Sequence, residues 1–110
     1  MRKIICVILL FSSVLWAENL NRVNKGLTYY KYILKPLLGY DGLVFTKKYT
    51  QKEWESLFDN QAQGFIEDFE KHSPQTKVFL HSDKFQNIAE DLKSFTLYYA
   101  KDTKVSPSCE

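Results

Sequence analysis

Methionine occurs once in this chain of 110 residues, at Met1. Cysteine occurs twice, at Cys6 and Cys109, and histidine twice, at His72 and His81. Each scarcity removes a class of chemistry. Two cysteines so far apart in sequence make no Cys-x-x-Cys pair, and no close His, Cys or carboxylate cluster has the spacing of a structural metal site. There is no Gly-x-Ser-x-Gly elbow, no His-Glu-x-x-His helix and no phosphate-binding glycine loop, so no hydrolytic machinery is visible. Only 3 prolines and 4 glycines interrupt the chain. Glu67, Asp68 and Glu70 lie close together beside Lys71, a pattern that reads as a solvated helix face.

The start of the chain has its own logic. Met1-Arg2-Lys3 is basic, Ile4 to Trp16 is apolar apart from Ser12 and Ser13, and Ala17 meets the polar Glu18-Asn19. Charge, apolar core and small residue are the layout of a secretory signal peptide, cut between Ala17 and Glu18. Residues 1–17 would leave, and export to the periplasm would follow. The alternative is an uncleaved membrane anchor, for which the run is short against the roughly 20 apolar residues that span a bilayer. Cleavage removes two bases and no acid from the 15 and 13 of the full chain, leaving a formal charge of zero. No net basic surplus then draws the chain to nucleic acid, and contact with a membrane would come only through an uncleaved leader. Cys6 would leave as well. Cys109 would remain as a single free thiol, unable to form an internal disulfide but able to link two copies.

In the remaining residues, apolar periodicity predicts an all-α fold of three to four helices. Leu20, Val23, Leu27, Tyr30 and Leu34 recur at steps of three and four, one stripe of a helix over 19–35, with Asn19 or Asn21 as its cap and Pro36 ending or bending it. Tyr30 lies on the stripe; Tyr29 and Tyr32 flank it, half exposed, as a surface for a partner. Residues 36–49 read as a loop too apolar to be wholly solvated. Thr50-Gln51-Lys52-Glu53 is a capping box that opens a helix carrying Trp54, Leu57 and Phe58. A break is expected at 60–64, then a second short apolar face of Phe65, Ile66 and Phe69, closed by Ser73-Pro74. Val78-Phe79-Leu80 reads as a buried loop in preference to a short strand. Phe85, Ile88, Leu92, Phe95 and Tyr99 mark the last helix over 83–101, capped by Ser82, with a polar tail at 102–110. The first and last helices carry the strongest stripes and should pack on each other. Gly26 would admit the close approach of Phe95, Tyr98 or Tyr99.

Gly26-Leu27-Thr28-Tyr29-Tyr30, then Gly39-Tyr40-Asp41-Gly42, then Phe95-Thr96-Leu97-Tyr98-Tyr99-Ala100 give this order a familiar outline. Across residues 19–101 the chain resembles a small class I cytochrome c domain, which makes 18–101 a helical domain. The resemblance implies N- and C-terminal helices packed together and a haem held beside the bend after the first helix. Covalent attachment needs Cys-x-x-Cys-His there. Leu34 and Leu37 stand at the cysteine positions and Leu38 at the histidine position, and no methionine remains as a second axial ligand. The resemblance therefore implies a haem-free domain, its leucines filling the cofactor's space, with a periplasmic redox or envelope protein as partner. Two readings stand beside it. One is a non-covalent haem or metal binder with His81 as axial ligand, which would do electron transfer or haem handling. The other is an unrelated small helical interaction protein.

Overall fold

The structure, a computed structural model, describes the backbone of residues 14–105 and side chains from residue 20 onward. Most of the apolar leader and Cys109 lie outside the described residues. Among the described residues the chain is helical with no strand. Helix α1 (Val14–Tyr29) continues through a π-turn (Tyr30–Leu34) into α2 (Lys35–Leu38). Short α3 (Gly42–Thr46) leads to α4 (Gln51–His72). A 3-10 turn (Pro74–Thr76), α5 (Lys77–Leu80) and α6 (Asp83–Tyr98) complete it.

The expected first helix is present but longer. It runs through Ala17-Glu18, so Asn19 and Asn21 lie inside it and neither caps its start. Pro36 does not end it. The Lys35 amide bonds back to the Tyr30 carbonyl, a widened turn that makes room for the pyrrolidine ring four residues beyond Tyr32. The helix stops at Gly39, whose φ of 89° suits glycine and whose amide bonds to the Lys35 carbonyl at 2.8 Å.

α1 packs on α6, as the two stripes require. Gly26 is the point of contact: a Cβ there would overlap the Asp91 carbonyl oxygen and stand 2.5 Å from Phe95 Cβ. Of the three aromatics expected against Gly26, Phe95 takes the place.

Residues 36–49 are more ordered than a loop. Asp41 is an N-cap, its Oδ1 accepting from the Val44 amide at 3.1 Å, and the five-residue α3 that follows delivers Phe45 to the centre of the core. The capping box is formed: Glu53 N–H donates to Thr50 Oγ1 and Thr50 N–H to Glu53 Oε1. α4 breaks where expected and in an unexpected way. Asp59 is extended, and Asn60, Gln61 and Ala62 have φ of 53°, 58° and 63°. These residues turn 51–58 back against 63–72 as a hairpin, with Phe58 on Phe65 at 5.0 Å between centroids. Gly64 is not the turn residue; it lets the second arm approach Leu57, whose Cα lies 3.2 Å from where its Cβ would be.

Residues 77–80 form a helical turn, neither loop nor strand, which buries Leu80 and leaves Val78 86% exposed. Ser82 caps α6 as expected, accepting from the Phe85 amide, but the helix ends at Tyr98. The segment after it is pinned through Val105. Lys47 Nζ donates to the carbonyls of Ala100, Thr103 and Val105, Lys101 N–H to the Tyr49 carbonyl, and Gln51 N–H to Asp102 Oδ1.

Candidate functional site

The three leucines that stand in the haem-motif positions separate by register. Leu34 closes the π-turn and is 1% exposed. Leu38, one turn on, is half-buried against the core. Leu37, three residues from Leu34, is half-buried like Leu38 but is not among the residues packed on the core, contrary to the expectation that all three point inward. Its carbonyl accepts from Gln75 Nε2 at 2.8 Å, which ties α2 to the 3-10 turn that precedes the His81 segment.

The core that Leu34 and Leu38 join holds a connected stack of rings. Phe45 is fully buried and contacts five others: Tyr30 at 4.3 Å between centroids, Trp54 at 5.2 Å, Phe69 at 5.7 Å, and Phe65 and Phe95 at 6.3 Å each. Phe65 carries the stack onward to Phe69 at 4.3 Å and Phe85 at 5.4 Å. Offset and edge-on rings at these separations attract beyond their area burial, by about 0.5–1.5 kcal/mol per pair. The polar groups inside are matched: Trp54 Nε1 donates to the Thr46 carbonyl at 3.0 Å, and Thr46 Oγ1 to the Gly42 carbonyl at 2.9 Å. No buried side-chain nitrogen or oxygen among the described residues lacks a partner.

His81 faces outward. Its Nε2 lies 2.5 Å from Glu70 Oε1, with more than half of its side chain exposed. An axial haem ligand needs a free imidazole nitrogen aimed into a cavity, and His81 Nε2, held by Glu70, is not so placed in this conformation. No group of three or more His, Cys, Asp or Glu that could hold a metal occurs among the described residues.

Asp68 and Glu70, read from sequence as part of a solvated face, are engaged across the hairpin and the α5 turn. Asp68 Oδ2 accepts from Tyr49 OH at 2.7 Å, and His72 Nδ1 approaches Asp68 Oδ1 at 3.4 Å while donating to the Asp68 carbonyl at 2.9 Å. Tyr30 OH donates to the Tyr40 carbonyl, and Lys48 Nζ sits 4.8 Å above the Tyr40 ring. Burial first, then the hydrogen bond to Asp68, pushes the Tyr49 phenol up to about 12. Burial raises Tyr40, with the Asp68 charge adding to it, and burial raises Tyr30, helped by Tyr40 and Asp41. All three phenols stay protonated at neutral pH and serve as hydrogen-bond donors, not as nucleophiles or bases. Beside them a shallow groove of ≈ 440 Å³ is lined by Tyr49, Lys52, Glu53, Ser56 and Leu57. Tyr49 and Asp68 are 19 residues apart, a spacing without helical or strand period, so nothing in the sequence pairs them.

The expected cleavage pair Ala17 and Glu18 lies within α1. No helix among the described residues is long and apolar enough to cross a membrane. No family model, no curated protein and no solved structure matches this chain.

Proposed function

We propose that this chain is an exported, haem-free cytochrome c-like protein of the periplasm that acts as a binding or accessory partner of a redox or envelope protein and carries no electrons itself. The observation behind this reading is the fate of the segment that carries the motif positions, which continues the first helix through the π-turn into α2. Where the resemblance requires cysteine and histidine, Leu34 is buried and Leu38 packs on a core centred on Phe45. A cofactor-free version of such a domain must fill that volume, because a void of haem size would cost many kcal/mol at about 24 cal/mol per Å³. The close pairing of the first and last helices at Gly26 supports the same reading.

A haem-handling role is the second reading. It requires His81 to leave Glu70 and a ring of the core to move aside. The third, an unrelated helical interaction protein, keeps the partner role without the ancestry. The deciding experiment is the visible spectrum of the protein recovered from the periplasmic fraction of a host competent for haem attachment, with and without added hemin. The proposal expects a processed protein that starts at Glu18 and shows no Soret band. A Soret band that survives purification and weakens in His81→Ala would replace it with the haem-binding reading. Recovery only with membranes, at unprocessed length, would replace export to the periplasm with anchoring by the leader.

A further inference from the structure

The formal charge of zero expected for residues 18–110 conceals a separation of charge. Between residues 19 and 52 there are seven bases and one acid, Asp41; between 53 and 91 there are nine acids and three bases. The first of these stretches contains residues 19–29 of α1, the π-turn and α2, and no acid occurs from 19 to 40. Steps of three and four place Lys25, Thr28, Tyr32 and Lys35 along one exposed line, with Lys31 beside it. Arg22, at the start of the line, is shared with Glu90 of α6 at 4.0 Å. Lys25, Lys31 and Lys35 meet no carboxylate among the described residues.

Tyr32 rides in the middle of these bases. It is 69% exposed, and Lys31 Nζ stands 5.5 Å from its ring centroid. An acidic protein would be attracted by the bases alone. An exposed tyrosine among lysines has the further chemistry of the membrane–water interface: the ring sits at headgroup level, with the lysine ammonium groups on the phosphates.

We propose that the exposed face formed by Lys25, Lys31, Tyr32 and Lys35 is a docking surface for an anionic phospholipid bilayer. Each base near such a surface contributes about a fivefold gain in binding, and the three together about a hundredfold.

The test is sedimentation of the protein, produced from the full chain, with vesicles of phosphatidylcholine alone and of phosphatidylcholine mixed with phosphatidylglycerol. Any retained leader, with its basic Arg2 and Lys3, is common to the wild type and the variants, so the change between them in the preference for the anionic vesicles is the readout. The wild type should prefer them, and the preference should fall as salt is raised. The triple variant Lys25→Gln, Lys31→Gln, Lys35→Gln should lose about a hundredfold of it. Tyr32→Ser should weaken binding at constant charge. The triple variant Lys52→Gln, Lys71→Gln, Lys84→Gln makes the same change in net charge on other exposed positions and should retain most of the preference. Equal loss in the two triple variants would overturn the proposal, because net charge and not this face would then govern binding. Tight binding to soluble polyglutamate with no preference for anionic vesicles would also overturn it and assign the face to an acidic protein.

Discussion

Gly26→Ala puts the tightest contact in the fold under test. Alanine in the interior of a free helix is favoured over glycine by about 1 kcal/mol. Here the added carbon would overlap the Asp91 carbonyl oxygen and stand 2.5 Å from Phe95 Cβ and 3.0 Å from the Asp91 carbonyl carbon. Ordinary Cβ contacts begin near 3.4 Å. Two of these three atoms are backbone and the third is the root of a side chain, so no rotamer change relieves the overlap and α1 must move off α6. Overpacking of this kind costs about 1–3 kcal/mol and sometimes more. With displacement of the whole interface the upper end applies, and after the helix-propensity gain the net loss is about 2 kcal/mol. For a domain of this size that lowers Tm by roughly 8–16 °C. Thermal unfolding followed by far-ultraviolet circular dichroism measures it. Gly64→Ala, whose nearest atoms are Leu57 Cα at 3.2 Å and Cδ2 at 3.3 Å, should cost clearly less. A Gly26→Ala variant as stable as the wild type, or more so, would mean that propensity outweighs contact and that the two helices do not meet at this position.

Thr50→Ala removes one half of the capping box and should cost about 1 kcal/mol in urea denaturation. Gln61→Gly should be neutral or stabilising by up to about 1 kcal/mol, because a left-handed residue with a Cβ costs roughly 1–2 kcal/mol and the Gln86 side chain bonds only to the Gln61 carbonyl; a clear loss would mean that the Gln61 side chain itself holds the turn. Lys47→Met leaves the carbonyls of Ala100, Thr103 and Val105 without their ammonium and should cost about 1–3 kcal/mol, with earlier proteolysis after Tyr99 as a second readout. The raised phenols make stability pH-dependent in one direction. Their folded values lie above the ordinary 10.0, so the neutral form is favoured by folding; the contribution is complete below pH 10 and is lost as pH rises toward about 12. Tyr49→Phe should remove one late-ionising phenol from an absorbance titration at alkaline pH and flatten the loss of stability over that window.

The elements read correctly from sequence are those fixed by local chemistry or by long periodic stripes. Thr50 with Glu53 and Ser82 before α6 act within one turn, and the stripes of Val23 to Leu34 and Phe85 to Tyr99 span enough turns to reveal period and face together. Gly26 was legible because a glycine beside a helical stripe has few other uses. Features decided by distant parts of the chain were not legible. The π-turn lets Pro36 stay inside a helix, and no local rule announces it. The break at 60–62 was placed correctly, but its left-handed geometry rests on three residues other than glycine and is held by the packing of the two arms. α3 is only five residues long and shows no period, although the apolar content of 37–45 did signal a role in the core, which Phe45 fulfils. The partners of Asp68, Glu70 and Lys47 lie 19, 11 and more than 50 residues away, where no sequence pattern links them. Charge was legible only in part: the net value suggested indifference to anionic surfaces, the sequence itself separates bases from acids, and the exposure of Lys25, Lys31 and Lys35 shows which bases share a face.

The proposed cofactor-free domain folds around its own aromatic side chains. Calorimetric unfolding of the protein without cofactor, repeated with hemin present, tests this most directly. A single cooperative transition at the same temperature in both scans is the predicted result. A protein that melts without a cooperative transition until hemin is added, or whose Tm rises by 10 °C or more with hemin, would contradict it, since a ligand at about 100 times its Kd adds roughly 2.7 kcal/mol to the folded state.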